Sequence, residues 1–138
     1  LSFWRNSMLK KISYAFSAGA LGGLINSVAV WLFGILGITM ALGVKIAPHI
    51  SPEWLYPRIV WGGLWGLLFL IPAMKGSVLI RGFVYSIGPS AVMLFIVFPG
   101  MGKGVYGLKL GTLTPVFVLL FNFIWGAAAA MWYRYCNE

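Results

Sequence analysis

Between Lys11 and Lys45 the chain carries no charge, and residues 14–37 (YAFSAGALGGLINSVAVWLFGILG) are almost wholly apolar. About 20 apolar residues rising roughly 1.5 Å each match a hydrocarbon core of about 30 Å. The pattern therefore predicts a membrane-spanning helix over 12–38, preceded by an interfacial segment in which Arg5, Lys10 and Lys11 alternate with Phe3, Trp4, Met8 and Leu9. Three more apolar runs follow, over 54–73, 77–98 and 114–133.

Turn chemistry separates the runs. Pro48 and Pro52 stop any helix crossing residues 39–56, because proline lacks a backbone donor and clashes with the preceding turn. Ser51-Pro52-Glu53 reads as a helix start: a capping hydroxyl, proline at the first helical position and an acid at the positive dipole end. Met74–Gly76 is a link short enough to imply an antiparallel neighbour. Residues 99–113 (PGMGKGVYGLKLGTL) hold five glycines and read as a surface loop. Pro57 and the pair Gly88-Pro89 predict kinks.

A second pattern lies inside the spans. Ala15, Gly19, Gly23 and Ser27 recur every fourth residue, with Ala18, Gly22, Asn26 and Val30 in a row beside them. Arg58, Gly62 and Gly66 form a row in the second span, Gly82, Ser86 and Ser90 in the third, and Asn122, Gly126 and Ala130 in the fourth. Helices gain little hydrophobic free energy by pairing in lipid, so close backbone contact between small residues drives their association. Ala15, Gly19, Gly22, Gly23, Asn26, Ser27, Gly62, Gly66 and Gly126 are accordingly the expected helix-packing interface.

The expected fold is an all-α integral membrane protein: one domain of four transmembrane helices, arranged as two antiparallel hairpins, with both termini on the same side. With the termini inside, Arg5, Lys10, Lys11, Lys75, Arg81 and Arg134 face the cytoplasm, against Lys45, Arg58, Lys103 and Lys109 opposite, and that balance favours cytoplasmic termini. At an offset of 64, Lys11 pairs with Lys75, Ser13 with Ser77, Gly43 with Gly107, Lys45 with Lys109, and Trp61-Gly62 with Trp125-Gly126. Such matches hint at two related halves, though so apolar a chain also produces them by chance.

Composition agrees with a membrane protein. The 138 residues are 61% hydrophobic and 9% charged, where soluble domains carry about 25% charged residues. The net charge of +8 does not point to nucleic acid, since the cations stand singly at the ends of apolar runs instead of clustering on one face. They suit lipid phosphates, and Lys45, Arg58, Arg81, Lys103 and Lys109 are the expected lipid- or anion-binding residues; for Arg58 and Arg81 the plainer alternative is snorkelling to the interface. Cys136 stands alone and has no partner for an internal disulfide.

Candidate chemistry is sparse. His49 and Glu53 are four residues apart, but a catalytic metal wants three ligands, and the plainer reading is a loop histidine beside a capping acid. The glycine loop lacks the spacing of a phosphate-binding loop. There is no Asp, and neither Glu53 nor Glu138 lies in mid-span, which disfavours a cation-coupled carrier. Asn26 and Asn122 are the deepest polar groups and read as bundle-packing amides or ligand contacts. Trp31, Trp61, Trp65 and Trp125 offer faces for a quinone, carotenoid or chlorin, yet His49 is the one conventional axial ligand, and no cofactor is expected.

In size, span count and its glycine-rich first helix (AGALGGLINS) the chain resembles small four-span inner-membrane proteins of bacteria. That likeness implies a location in the bacterial inner membrane and carries no activity. The expected function is a non-catalytic accessory or scaffold subunit that packs against other integral membrane subunits and anionic lipid headgroups, with one small-residue row kept for a partner. The alternative is a small transporter or channel for an anionic or neutral solute, acting as a homo-oligomer.

Overall fold

A computed structural model describes residues 2–137, with side chains from residue 7 onward. The described residues are helical throughout their ordered elements and contain no strand. Helix α1 runs Ser2–Ile35, α2 is the short Ile38–Ala41, and α3 is Pro52–Gly66, extended by a 3-10 turn over Leu67–Leu70. Helix α4, Val78–Val92, passes through a π turn, Met93–Val97, into α5, Phe98–Gly100. A 3-10 turn at Val105–Gly107 precedes α6, Thr114–Asn137.

Three helical segments are long and apolar enough to cross a membrane: Ser7–Ile35, Val78–Gly100 and Thr114–Asn137. The expected second span, 54–73, is instead a 15-residue α-helix with one tighter turn, and it leaves helical geometry at Ile71 (φ −73°, ψ 119°). Pro72 explains the early end, because its ring pushes the preceding residue out of the α region. The other boundaries also move. The segment ahead of residue 12 is continuous with α1, which closes at Ile35 because Gly37 (φ +77°) turns the chain left-handed and donates back to the Gly34 carbonyl at 3.1 Å. Pro89 stays inside α4, and its distortion surfaces one turn later as the π turn.

Ser51 caps α3 as expected, its Oγ accepting from the Trp54 amide at 3.3 Å, and Ser77 caps α4 through the Ile80 amide at 3.2 Å. At the opposite end from the termini, the loops after α2 and α5 clasp each other. The Lys45 amide donates to the Leu110 carbonyl at 2.9 Å, and a Cβ on Gly111 would lie 3.0 Å from the Val44 Cα.

The helices pack in the order α3, α1, α6, α4, with α1 and α6 in the middle. One face of α1 meets α3 backbone to backbone: a Cβ on Gly19 would lie 2.6 Å from the Gly66 Cα, and one on Gly23 2.6 Å from the Arg58 carbonyl oxygen. The neighbouring face meets α6, where a Cβ on Gly22 would lie 2.7 Å from the Trp125 carbonyl oxygen. Helix α4 meets α6 where Gly82 faces Gly126. Beyond these contacts Ala15, Ala18 and Ala129, all fully buried, join an aromatic core of Phe69, Tyr85, Trp125 and Tyr133.

Polar groups pin the same contacts. Trp125 Nε1 donates to the Gly19 carbonyl at 3.0 Å, and Asn26 Nδ2 to the Phe121 carbonyl at 2.6 Å. Interhelical hydrogen bonds of this kind contribute about 1 kcal/mol in a bilayer. Trp125→Phe, which keeps the ring and removes the donor, is expected to lower stability by about that amount, read from the unfolding midpoint in mixed micelles.

Candidate functional site

Helices α3 and α4 touch only lightly, where the Trp65 ring lies against Gly88. Between them lies a cleft, floored by α1 and α6, with two chambers that share Asn26, Arg58, Met93 and Asn122. The chamber nearer the loops is about 410 Å³ and includes Lys45, Trp54, Lys103 and Phe121. The deeper chamber is about 380 Å³ and largely apolar, walled by Pro57, Trp61, Trp65, Pro89, Val92 and Trp125.

Arg58 stands at the junction. Its guanidinium reaches from α3 to α1: Nε donates to Ser27 Oγ at 2.9 Å and Nη2 to Asn26 Oδ1 at 2.7 Å. Each acceptor is held in turn. Ser27 Oγ donates to the Gly23 carbonyl at 2.7 Å, and the Asn26 amide is fixed on Phe121. The guanidinium also lies over the Trp54 ring, 4.6 Å from its centroid, a cation–π contact that strengthens where water is excluded. Nη1 has no hydrogen-bond partner among the described residues. Among the described residues no acid joins this network, and the sequence holds only Glu53 and Glu138. Coulomb interactions of a cation so placed are stronger than in water, because the dielectric there is lower.

Asn122 reaches across to α4, donating to Ser90 Oγ at 3.0 Å, so the floor of the cleft is polar from Asn26 to Ser90. Lys45 and Lys103 sit at the mouth, supplied by the two clasped loops. Of the five expected anion-binding residues, the structure brings together Lys45, Arg58 and Lys103. Lys109 is exposed, its side chain laid across Gly104, and does not line the cleft.

Arg81 lies at the other end of the bundle and does not snorkel. It is 9% exposed, with Nη2 donating to the Phe69 carbonyl at 2.7 Å and the Ile71 carbonyl at 2.9 Å. Those carbonyls are presented where the chain leaves the 3-10 turn. Phe69, Tyr85 and Tyr133 surround the guanidinium with ring centroids at 5.4, 5.6 and 5.5 Å. Phe69 in turn touches Trp125 (centroids 6.1 Å apart), so aromatic rings separate Arg81 from the cleft.

Both small-residue rows of α1 have their neighbours inside the chain, Ala15-Gly19-Gly23-Ser27 toward α3 and Ala18-Gly22-Asn26-Val30 toward α6. Gly62 and Gly66 face Gly19, and Gly126 faces Gly82. Neither row of α1 is left free for a partner. His49 and Glu53 are exposed, and among the described residues no three His, Cys, Asp or Glu side chains gather as a metal site.

Sequence reasoning missed Trp54 as the stacking face for Arg58, Ser90 as the partner of Asn122, and Met93 between the chambers. Ser90 carried a signal, since it ends the small-residue row of the third span, and so did Trp54, four residues before Arg58 on one helix face; Met93 carried none. No protein-family model matches this chain, and neither a curated protein nor a solved structure matches it.

Proposed function

We propose that this chain is a non-catalytic membrane protein of four spans that binds an anionic amphiphile in the cleft between α3 and α4. One observation carries the proposal: Arg58, a cation with no acidic partner among the described residues, stands where a polar chamber meets an apolar one. The negative headgroup lies against Arg58, Lys45 and Lys103, and the tail runs between Trp61, Trp65 and Pro89 toward the middle of the bilayer. That direction is the one a lipid of the loop-side leaflet already has. The open side of the cleft lets it enter from the membrane without crossing water.

The four-span arrangement is supported by length and register. Fifteen α-helical residues rise about 22 Å and the following 3-10 turn about 8 Å, together about the hydrocarbon thickness. Gly19 meets Gly66 while Gly23 meets Arg58, so α1 and α3 run antiparallel; Gly82 meets Gly126 while Ser90 meets Asn122, so α4 and α6 do too. These contacts support two antiparallel hairpins with the termini on one side. Anchoring of an anionic lipid is favoured over a through-pathway, because the rings of Phe69 and Trp125 stand between Arg58 and Arg81.

The test is the binding of short-chain phosphatidylglycerol and phosphatidylcholine to the detergent-solubilised protein, followed by native mass spectrometry. Near a membrane each lysine contributes about 1 kcal/mol toward an anionic headgroup. The phosphatidylglycerol preference is expected to fall about 30-fold when Lys45→Gln and Lys103→Gln are combined. Equal binding of the two lipids by the unaltered protein, or a preference that survives both substitutions, overturns the proposal.

A further inference from the structure

Two polar atoms in the cleft are left with a bond to make. Arg58 spends Nε and Nη2 on Ser27 and Asn26, and its Nη1 meets no acceptor among the described residues. Asn122 spends Nδ2 on Ser90 Oγ, and its Oδ1 meets no donor among the described residues. Neither atom is sealed off: among the described residues, the side-chain polar atoms buried without a partner are Arg81 Nε and Thr114 Oγ1. Both residues line both chambers, so a donor and an acceptor are available at the junction. The deep chamber limits what lies beyond them. A cavity of about 150 Å³ takes the six carbons of benzene, so one of 380 Å³ takes about fifteen. That is enough for one membrane acyl chain and too little for two. Helices α3 and α4 close on each other beside the chamber, where a Cβ on Gly88 would lie 3.2 Å from the Trp65 ring.

Taking the cleft as the seat of an anionic amphiphile, on which this rests, we infer that its ligand is a lysophospholipid. Such a lipid has one acyl chain, a phosphate, and a free hydroxyl on the glycerol carbon between them. The phosphate accepts from Arg58 Nη1, and the hydroxyl donates to Asn122 Oδ1. In a diacyl lipid that glycerol oxygen is an ester oxygen and has no hydrogen to give. Asn122 Oδ1 would then face an acyl chain unpaired, which costs more than a hydrogen bond gains, and the second chain would find no room in the deep chamber.

The test presents detergent-solubilised full-length protein with three probes at equal mole fraction in the micelle and counts bound lipid by native mass spectrometry. The probes are myristoyl lysophosphatidylglycerol, its analogue lacking the hydroxyl on the backbone glycerol, and dimyristoyl phosphatidylglycerol. The lysolipid is expected to bind about 10-fold more tightly than either of the others, the effect of one hydrogen bond left unmade at a partly buried acceptor. Asn122→Leu, first checked for folding by size exclusion, is expected to erase the difference between the lysolipid and its analogue. Because the analogue removes the same bond from the ligand side, the unaltered protein gives an answer even if that variant does not fold. Equal binding of the lysolipid and its analogue, or of the lysolipid and the diacyl lipid, overturns the inference, as does a folded Asn122→Leu protein that keeps the difference. If phosphatidylglycerol is still preferred to phosphatidylcholine in that event, the cleft remains an anion site with a diacyl ligand; if that preference is absent as well, both fall.

Discussion

Gly66→Leu is expected to remove most of the folded protein. A Cβ at this position would lie 2.7 Å from the Gly19 Cα and 2.8 Å from the Gly19 amide nitrogen, and both neighbours are main chain. No rotamer change relieves a clash with backbone, so α1 and α3 must move apart. Their separation removes the dispersion contacts that hold helices together in lipid, where little hydrophobic gain is available to replace them. Overpacking a tight site typically destabilises by about 1–3 kcal/mol, and a leucine against backbone on both sides belongs at the top of that range or above it. The unfolding midpoint in mixed micelles, followed by tryptophan fluorescence, measures the effect. Gly76→Ala is the control: a Cβ there meets nothing within 4 Å, so its midpoint is expected to stay within about 0.5 kcal/mol of the parent.

Arg58→Leu is the second large effect, and it acts on fold and ligand together. Removing the guanidinium leaves Asn26 Oδ1 without its donor in a residue only 6% exposed, and takes away the Nε bond to Ser27. A buried polar group stripped of its partner costs about 1–3 kcal/mol. The same substitution removes the charge at the junction of the two chambers, so binding of phosphatidylglycerol is expected to fall by at least about 100-fold. Arg58→Lys separates the two roles. A lysine keeps the charge but cannot hold two acceptors in the geometry of the planar fork. It is expected to bind the lipid about 10-fold more weakly than the parent, and still more tightly than Arg58→Leu. If Arg58→Lys folds and binds no better than Arg58→Leu, the arginine serves the α1–α3 contact alone and the cleft holds no anion.

Much of the fold was legible because it depends on local chemistry. The uncharged stretch from Lys11 to Lys45 marks a long apolar helix by its length alone, and α1 is that helix. Ser51-Pro52-Glu53 begins α3 because the cap, the proline and the acid all act within one turn. The every-fourth-residue rows sit at helix contacts because residues four apart share a face. The end of α3 was misplaced: apolarity continues to Ala73, but Pro72 removes Ile71 from helical geometry. Hydropathy measures affinity for lipid and does not record where the backbone changes course.

The sites were less legible. Asn26 and Arg58 lie 32 residues apart and share no local pattern, and only the α1–α3 contact brings them to 2.7 Å. Lys109 matched Lys103 in every property visible along the chain, yet the loop turns one toward the cleft and the other away. Arg81 looked like a snorkelling side chain because its distance from the helix end allowed it; the carbonyls of Phe69 and Ile71, which hold it inward, belong to another element.

By itself, then, the sequence determined that this chain is helical and suited to a membrane, where its caps and turns lie, and which helix faces are bare enough for backbones to touch. Those properties arise within a few residues of one another. Tertiary structure alone decided which bare face met which, because small-residue rows are chemically alike and any of them can dock on any other. That choice filled both faces of α1, left α3 and α4 touching only lightly, and placed one arginine at each end of an aromatic core.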